Sequence, residues 1–502
     1  MGCEFQLPEP IIQHIQSFLT GKEAVQTTVL SKSWHSAWLT RPNLEFNEDD
    51  FEIYPNHSWG DDDDRFNYGF SEFAKKTIQR YEESNLTIER LSLCMKTRSS
   101  SMVDLASELI VRALKIGVTH LNLSCVNCTK FVLPHEVFEA ENLVELSLVD
   151  CKIDINSIKC LSLKSLSLKE VWLESIYNIE SIYNIISSCP LIQKLSLSVI
   201  YQRVLAAGPH APCPTDLPKL CELRCLVFCN VEFDNMWCLG DLLPKFPCLQ
   251  DLSLIHCRNV PEVCSPSLER LTFDSCSPSW STFKSDHRWS VEFDLPSIKT
   301  FALEGSSFPS VCFKSTSSKY WESRVYITSD YARPPLSNSW FLELNQLLTE
   351  LSQSKISLSL YLPSEYSFDY EVGGFEGLPK HQVENVTVDM DYLPSLSCYA
   401  LFDGLFRICR PRFITLYLLP ESCDGAKKNN DFICKTLVQA IKGTCSLQIL
   451  CMNGLRDLEE VNVEIYDEAD PAWRSLPLES LLDVSKGLTE EQKIRFQLKW
   501  NL

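Results

Sequence analysis

One spacing recurs along this chain: apolar, two residues, apolar, one residue, apolar. It stands at Ile88-Leu91-Leu93, Val118-Leu121-Leu123, Leu143-Leu146-Leu148 and Leu163-Leu166-Leu168. It continues at Ile192-Leu195-Leu197, Leu249-Leu252-Leu254, Leu268-Leu271-Phe273 and Ile298-Phe301-Leu303. Looser copies are Leu223-Leu226-Phe228, Val383-Val386-Val388 and Phe413-Leu416-Leu418, with Ile356-Leu358-Leu360 and Leu447-Leu450-Met452 as further members. The step is 25 residues from Leu123 to Leu148, 20 from Leu148 to Leu168 and 29 from Leu168 to Leu197. The last two apolar residues of each copy alternate with one residue between them. Each copy therefore reads as a short strand with one face inward. A unit this short cannot bury its apolar face alone, so the repetition predicts stacked copies that share one core. The copies are clearest over 86–303 and irregular over 304–460.

The opening of the chain follows another period. Ile11, Ile12, Ile15, Phe18 and Leu19 fall on one face of a helix. Pro8 and Pro10 suit its first turn, where a missing N–H costs nothing, and Gly21 reads as its stop. Lys22 to Leu30 gives a second helix with Ala24, Val25 and Leu30 as apolar contacts. Ser31 caps a third that carries Trp34, Ala37 and Trp38, and Pro42 ends it. Three short helices in roughly 40 residues cannot cover this many apolar side chains among themselves. The surplus serves either a partner or the rest of the same chain.

These residues resemble an F-box. The opening Leu7-Pro8 is followed by I-I-x-x-I-x-x-F-L, then K-E-A-V-x-T-x-V-L-S-K-x-W, then W-L before P-N-L-x-F. Ser33 stands where that family usually has a basic residue before its first tryptophan. The runs FVLPHEVFEAENLVELSL (131–148) and SSCPLIQKLSL (187–197) look like plant F-box/leucine-rich-repeat proteins. The likeness is good to about Leu303 and weak beyond it. The resemblance implies an α/β fold: a three-helix F-box, then an irregular leucine-rich-repeat solenoid, a horseshoe with parallel strands on its inner face. It implies docking to a Skp-type adaptor through Leu7, Pro8, Ile11, Ile12, Ile15, Leu19, Val25, Leu30, Ser31 and Trp34. Through the adaptor it implies a cullin, and hence a substrate-recognition subunit of a ubiquitin ligase. A non-degradative scaffold and a small-molecule or hormone receptor on the same fold are the alternatives. Contacts to a protein target are expected between the repeat apolars, at Thr119, His120, Asn122, Glu145, Ser147, Ser165, Ser167, Lys194 and Ser196.

The expected organisation is an F-box over 1–48, an acidic linker over 49–68, repeats over 69–460 and a cap over 461–502. Phe70, Phe73, Ala74, Ile78 and Tyr81 predict a helix after the linker, and Met102 to Lys115 and Ser175 to Ser188 read as helices between strands. Asn345 to Gln353 also reads as a helix. LTEEQKIRFQLKWNL reads as a terminal helix capped by Thr489, with Leu488 and Ile494 as its contacts.

Composition narrows the functional classes. Of 502 residues, Lys and Arg supply 46 and Asp and Glu 66, a net charge of −20. That argues against nucleic acid as the partner. No run approaches the ~20 apolar residues of a membrane span. The start Met-Gly-Cys-Glu-Phe-Gln lacks the form of a signal peptide, and Gln6 stands where a myristoylation motif wants Ser or Thr. An intracellular setting, cytoplasmic or nuclear, is expected, with the 23 cysteines as thiols. Cys151, Cys257 and Cys276 sit three residues beyond a triad, where this repeat class turns a Cys or Asn inward. Cys125 and Cys128 form a lone C-x-x-C without the second pair of a zinc site. The histidines are scattered, there is no G-x-S-x-G elbow, and GGFEG (373–377) lacks the Lys-Ser/Thr of a phosphate loop. The chain therefore reads as a non-catalytic binding protein without a metal or cofactor.

Overall fold

A computed structural model describes residues 7–51, 63–95, 100–125, 131–153, 160–170, 172–173, 187–198, 222–233, 239–260, 262–277, 289–316, 321–328, 337–362, 377–390, 395–417, 455, 457–467, 470–477 and 492–501. The fold is mixed α/β, with mostly parallel strands. It divides into two compact units, 1–249 and 250–502.

In the first unit, helices α1 (Glu9–Gln16), α2 (Gly21–Gln26) and α3 (Lys32–Thr40) precede strand β1 (Asn43–Asn47). A short 3-10 turn, Thr27–Val29, continues α2. Gly21 opens α2 instead of ending α1, because Thr20 takes the cap position: its Oγ1 accepts the Glu23 N–H at 3.3 Å. Helix α4 (Asp63–Glu83) begins within the stretch expected as linker, and α5 (Ser100–Ile116) covers the helix read from Met102. Phe70, Ala74, Ile78 and Tyr81 of α4 are buried, as their spacing predicts. The helix read over Ser175 to Ser188 lies largely outside the described residues, as do Leu447-Leu450-Met452 and the Asp61–Asp62 half of the acidic run.

Strands β1, β2 (Arg90–Met95), β3 (His120–Cys125), β4 (Glu145–Val149), β5 (Ser165–Lys169), β6 (Lys194–Ser198) and β7 (Cys225–Cys229) form one parallel ladder. Its register stacks the repeat apolars in two columns. One runs Leu44, Leu91, Leu121, Leu146, Leu166, Leu195, Leu226; the other runs Phe46, Leu93, Leu123, Leu148, Leu168, Leu197, Phe228. All fourteen are buried. A slip of one residue would turn both columns to the opposite face, so burial fixes the register.

The turn after several strands repeats one device. Asp150, Glu170, His256 and Ser275 adopt left-handed φ angles of 55°, 54°, 50° and 48°. Their N–H groups donate to the end of the next strand, at Lys169, Ser198, Asp274 and Glu304, over 2.6–3.1 Å. A cysteine follows three of them. Cys151, Cys257 and Cys276 are buried, and their Sγ atoms lie 3.3–3.5 Å from the carbonyls of Val149, Ile255 and Asp274. The thiol supplies a small donor to a carbonyl that would otherwise be stranded inside.

In the second unit, β8 (Asp251–Ile255), β9 (Arg270–Asp274), β10 (Thr300–Gly305), β11 (Glu322–Thr328), β12 (Lys355–Leu362), β13 (His381–Met390) and β14 (Cys409–Tyr417) are also parallel. The apolar frame moves two residues along the strand at β11. Leu303 faces Val325 and Gly305 faces Ile327, while Ser323 takes the place opposite Phe301. Ser323 is buried, with its Oγ 2.6 Å from the Ser354 Oγ. This shift is why the spacing fades after residue 304. It also moves one of the looser copies: Ile414 and Leu416 continue the columns of Val386 and Val388, and Phe413 faces the other way.

The expected terminal helix is a strand. Residues Gln492–Trp500 (β17) lie antiparallel between β14 and β15 (Leu458–Asp467), with β16 (Asp470–Leu476) beyond. Ile494, Phe496 and Leu498 are buried in strict alternation, which a helix would scatter around its axis. Arg495 lies over the rings of Phe413 and Trp473, at 4.8 and 4.0 Å, and pairs with Glu464.

Helices α6 (Asn338–Glu350) and α7 (Ser395–Ile408) meet at Gly404, where a Cβ would overlap the Phe341 ring. Gly404→Ala is expected to cost about 1–3 kcal/mol by overpacking, read as a lowered midpoint in denaturant unfolding. His381 is buried, its Nε2 3.2 Å from Asn345 Oδ1 and 3.1 Å from Thr349 Oγ1. Burial pushes its pKa below the usual imidazole value. The folded state then refuses a proton that the unfolded chain accepts. The His381 contribution is present above about pH 6.5 and lost as the pH falls from there toward the depressed folded value. The drop in thermal midpoint between pH 7.5 and 5.5 should shrink in His381→Gln.

Candidate protein-interaction faces

The N-terminal helices are held by small and polar contacts. Ala24 and Ala37 are fully buried where the helices approach. Gln16 is 1% exposed, and its Nε2 donates to Thr27 Oγ1 at 2.9 Å and to the Trp34 carbonyl at 3.2 Å. Thr20 and Glu23 form a reciprocal capping pair, since the Glu23 carboxylate accepts the Thr20 N–H at 2.9 Å. That backbone hydrogen bond holds the Glu23 carboxyl below the usual range. Ser31 caps α3, its Oγ accepting the Trp34 N–H at 3.4 Å.

Such an arrangement leaves one apolar group outside. Ile11, Ile15, Phe18, Val25, Val29 and Leu30 are exposed, Phe18 at 76% and Val29 at 85%. Full burial of Phe18 or Val29 would gain on the order of 1.5–3 kcal/mol, and of Ile11, Ile15, Val25 and Leu30 less, since these are already partly covered. Of the residues expected at a docking face, Ile11, Ile15, Val25 and Leu30 belong to this exposed group, and Pro8 and Ser31 are exposed beside it. Leu7, Leu19 and Trp34 are half-buried. Ile12 is 1% exposed, so it faces the interior of the cap. Phe18 and Val29 are exposed apolars outside the expected set. Phe18 carries a legible signal, because Ile11, Ile15 and Phe18 stand at i, i+4 and i+7 of one helical stripe.

The second face lies between the columns of the first ladder. Register places His120, Glu145, Ser165 and Lys194 in one row and Asn122, Ser147, Ser167 and Ser196 in the next. Neighbours within a row are about 4.8 Å apart, the spacing of adjacent strands. His120 Nε2 lies 4.0 Å from the Glu145 carboxylate. Thr119 stands just before its strand and donates to the Glu89 carbonyl at 3.0 Å. The ladder therefore gathers eight of the nine expected contact residues into two lines. Arg90 and Ser92 extend those lines, opposite His120 and Asn122. They occupy the same places in the first triad, and the sequence reading passed over them.

Among the described residues no three His, Cys, Asp or Glu are placed to hold a metal. Cys125 is buried at the end of β3, with its pKa pushed far up by its Cys151 contact and by burial, and Cys128 lies outside the described residues. Burial also pushes the Cys160 and Cys409 thiols up to about 12. No helix among the described residues is long and apolar enough to cross a membrane.

The chain thus combines a helical cap bearing an exposed apolar group with repeated parallel strands bearing rows of short polar side chains. The chain is similar to several curated plant proteins. A putative F-box/LRR-repeat protein of Arabidopsis thaliana is 27% identical over 290 residues, 56% of this chain and 54% of the relative. An F-box/LRR-repeat protein of the same plant is 34% identical over 145 residues, 28% of this chain and 25% of the relative. An FBD-associated F-box protein is 30% identical over 204 residues, 39% of this chain and 42% of the relative. No family model matches the chain. The chain is a relative of the plant F-box/leucine-rich-repeat proteins, and it spans from a quarter to about half the length of these three.

Exposure separates two roles within the cap. Ile12→Ala should lower the unfolding free energy by about 2–5 kcal/mol through the cavity it leaves. Phe18→Ala should change it by less than about 0.5 kcal/mol. Denaturant unfolding of the two variants checks both values.

Proposed function

We propose that this chain is a substrate-recognition subunit of a Skp–cullin–F-box ubiquitin ligase. Residues 1–48 act as the F-box, 69–460 as the leucine-rich-repeat solenoid and 461–502 as its cap. The exposed apolar group from Ile11 to Leu30, on a three-helix segment of a chain similar to F-box/LRR proteins, carries the reading. In it, Ile11, Ile15, Phe18, Val25, Val29 and Leu30 dock a Skp-type adaptor. The rows that contain His120 and Asn122 hold the protein target.

The chain's own contribution is then binding and not bond chemistry. Holding a target beside an adaptor-bound ligase converts ubiquitin transfer into a local event, with an effective concentration set by the geometry of the joint. The polar rows supply hydrogen bonds that a mismatched partner would leave unpaired, which is how such a face selects.

Pull-down of the full chain with a Skp-type adaptor and a cullin tests this reading. Wild type should recover both. Phe18→Asp, or Leu7→Ala with Pro8→Ala, should reduce adaptor recovery at least tenfold without loss of helical signal. Adaptor binding that survives Phe18→Asp would overturn the docking face. Recovery of adaptor without cullin would favour a non-degradative scaffold.

A further inference from the structure

The cations of the two ladders are placed differently. In the second unit, Arg270 meets Asp251, Lys299 meets Glu269, Arg324 meets Glu322, and Lys355 and Arg412 both meet Glu384. In the first unit, Lys164, Lys169, Lys194 and Arg224 are exposed and make no ion pair among the described residues.

Backbone hydrogen bonds set three of these four side by side. The Gln193 and Lys194 N–H groups donate to the Lys164 carbonyl at 2.8 and 3.0 Å, and the Arg224 and Cys225 N–H groups donate to the Gln193 carbonyl at 2.8 and 3.0 Å. Lys164, Lys194 and Arg224 therefore stand at the entrances of β5, β6 and β7, with Lys169 at the far end of β5. Adjacent strands are about 4.8 Å apart, so the three entrance cations span roughly 10 Å, which an extended segment of about three or four residues crosses.

No carboxylate lies among the outward positions of these strands or the residues that enter them. Such a patch departs from the rest of a chain of net charge −20. Glu145, Glu170 and Glu222 border it and pair with none of the four cations.

Two further features belong to the same strands. The hydroxyls of Ser165, Ser167 and Ser196 are half-buried and make no hydrogen bond among the described residues, so they are free to donate to carboxylate or carbonyl oxygens. Leu161 and Leu191, in the turns that enter β5 and β6, are 71% and 47% exposed. Exposed ion pairs are individually weak and screened by salt, so several must act together with an apolar contact. Three of the four cations are lysines, which are point charges and not bidentate forks. Point charges spread along a row fit separate carboxylates along a chain better than one compact anion.

We propose that the target segment taken by this ladder is extended and acidic. Its Asp or Glu carboxylates lie on Lys164, Lys194 and Arg224, and a large apolar side chain lies against Leu161 and Leu191. The inference rests on the proposed function in one point, that the ladder is the target face.

The test is fluorescence anisotropy of the full chain without adaptor. The probes are fluorescein-labelled peptides of equal length built from repeats of Glu-Leu-Asp-Ser, Lys-Leu-Lys-Ser or Glu-Ser-Asp-Ser. The first should bind at least tenfold more tightly than the second, more tightly than the third, and less as salt is raised. Lys164→Glu with Lys194→Glu should weaken it at least tenfold. Lys22→Glu with Lys32→Glu makes the same change of charge at exposed positions of the helical cap and should keep wild-type binding. An unchanged unfolding midpoint shows that each variant folds. Failure of the first peptide to bind overturns the proposal, as does equal binding of the acidic and basic peptides. Acidic-peptide binding that survives Lys164→Glu with Lys194→Glu, or capture of phosphatidylserine vesicles in place of the peptide, overturns it too. Adaptor pull-down reads the proposed function separately: peptide failure with adaptor recovery intact removes this inference alone.

Discussion

The pairing of Leu44 with Leu91 and Phe46 with Leu93 is the contact on which the first unit depends. Strand β1 completes the helical cap and also starts the ladder. The cap is therefore hydrogen-bonded into the same sheet that carries the polar rows. Further ties act around this joint. Gly21 donates to Glu45, Tyr81 donates to the Arg41 carbonyl, and the Arg80 guanidinium lies 5.9 Å from the Trp38 ring centre. Under the proposed function such stiffness is useful, because a flexible joint would spread a bound target over many positions and dilute it.

Most of the ladder was legible in the sequence, for a physical reason. Each strand offers two inward positions, and a large apolar residue, Leu or Phe, fills both. The strict triads from Leu91 to Leu303 accordingly become strands in register. Strand β1 was missed because Leu44 and Phe46 stand inside a helical motif and lack the third apolar residue. The strand at Val325 and Ile327 was missed because the frame moves there and a serine fills the vacated column. The terminal strand was misread because Thr489 and the glutamates after it look like a helix start. The alternation of Ile494, Phe496 and Leu498 was the stronger signal, since it spans the element and a cap marks only its end.

The faces were legible to different degrees. The rows of the ladder follow from strand periodicity, so one correct triad fixes which residues lie between the apolars. The cap is harder. A helix with apolar residues at Ile11, Ile12, Ile15, Phe18 and Leu19 has a wide apolar arc, and sequence alone does not divide it into an inner and an outer part. The division comes from its neighbours. Ala24 and Ala37 leave room for Ile12 and Gln16, which turns Ile11, Ile15 and Phe18 outward.

The cysteines show how repeated geometry shapes chemistry. A left-handed residue after the strand keeps its N–H on the next strand but leaves the preceding carbonyl facing inward. A buried thiol two residues further on satisfies that carbonyl with little bulk. Burial raises the pKa of the Cys276 thiol, and a protonated thiol is the donor that the turn requires. A reactive cysteine needs the reverse, a depressed pKa beside a cation. The burial of Cys276 thus withdraws its sulfur from nucleophilic chemistry, and the Cys151 contact together with burial does the same for Cys125 at the end of β3. Cys151, Cys257 and Cys276 are accordingly part of how the strands are joined.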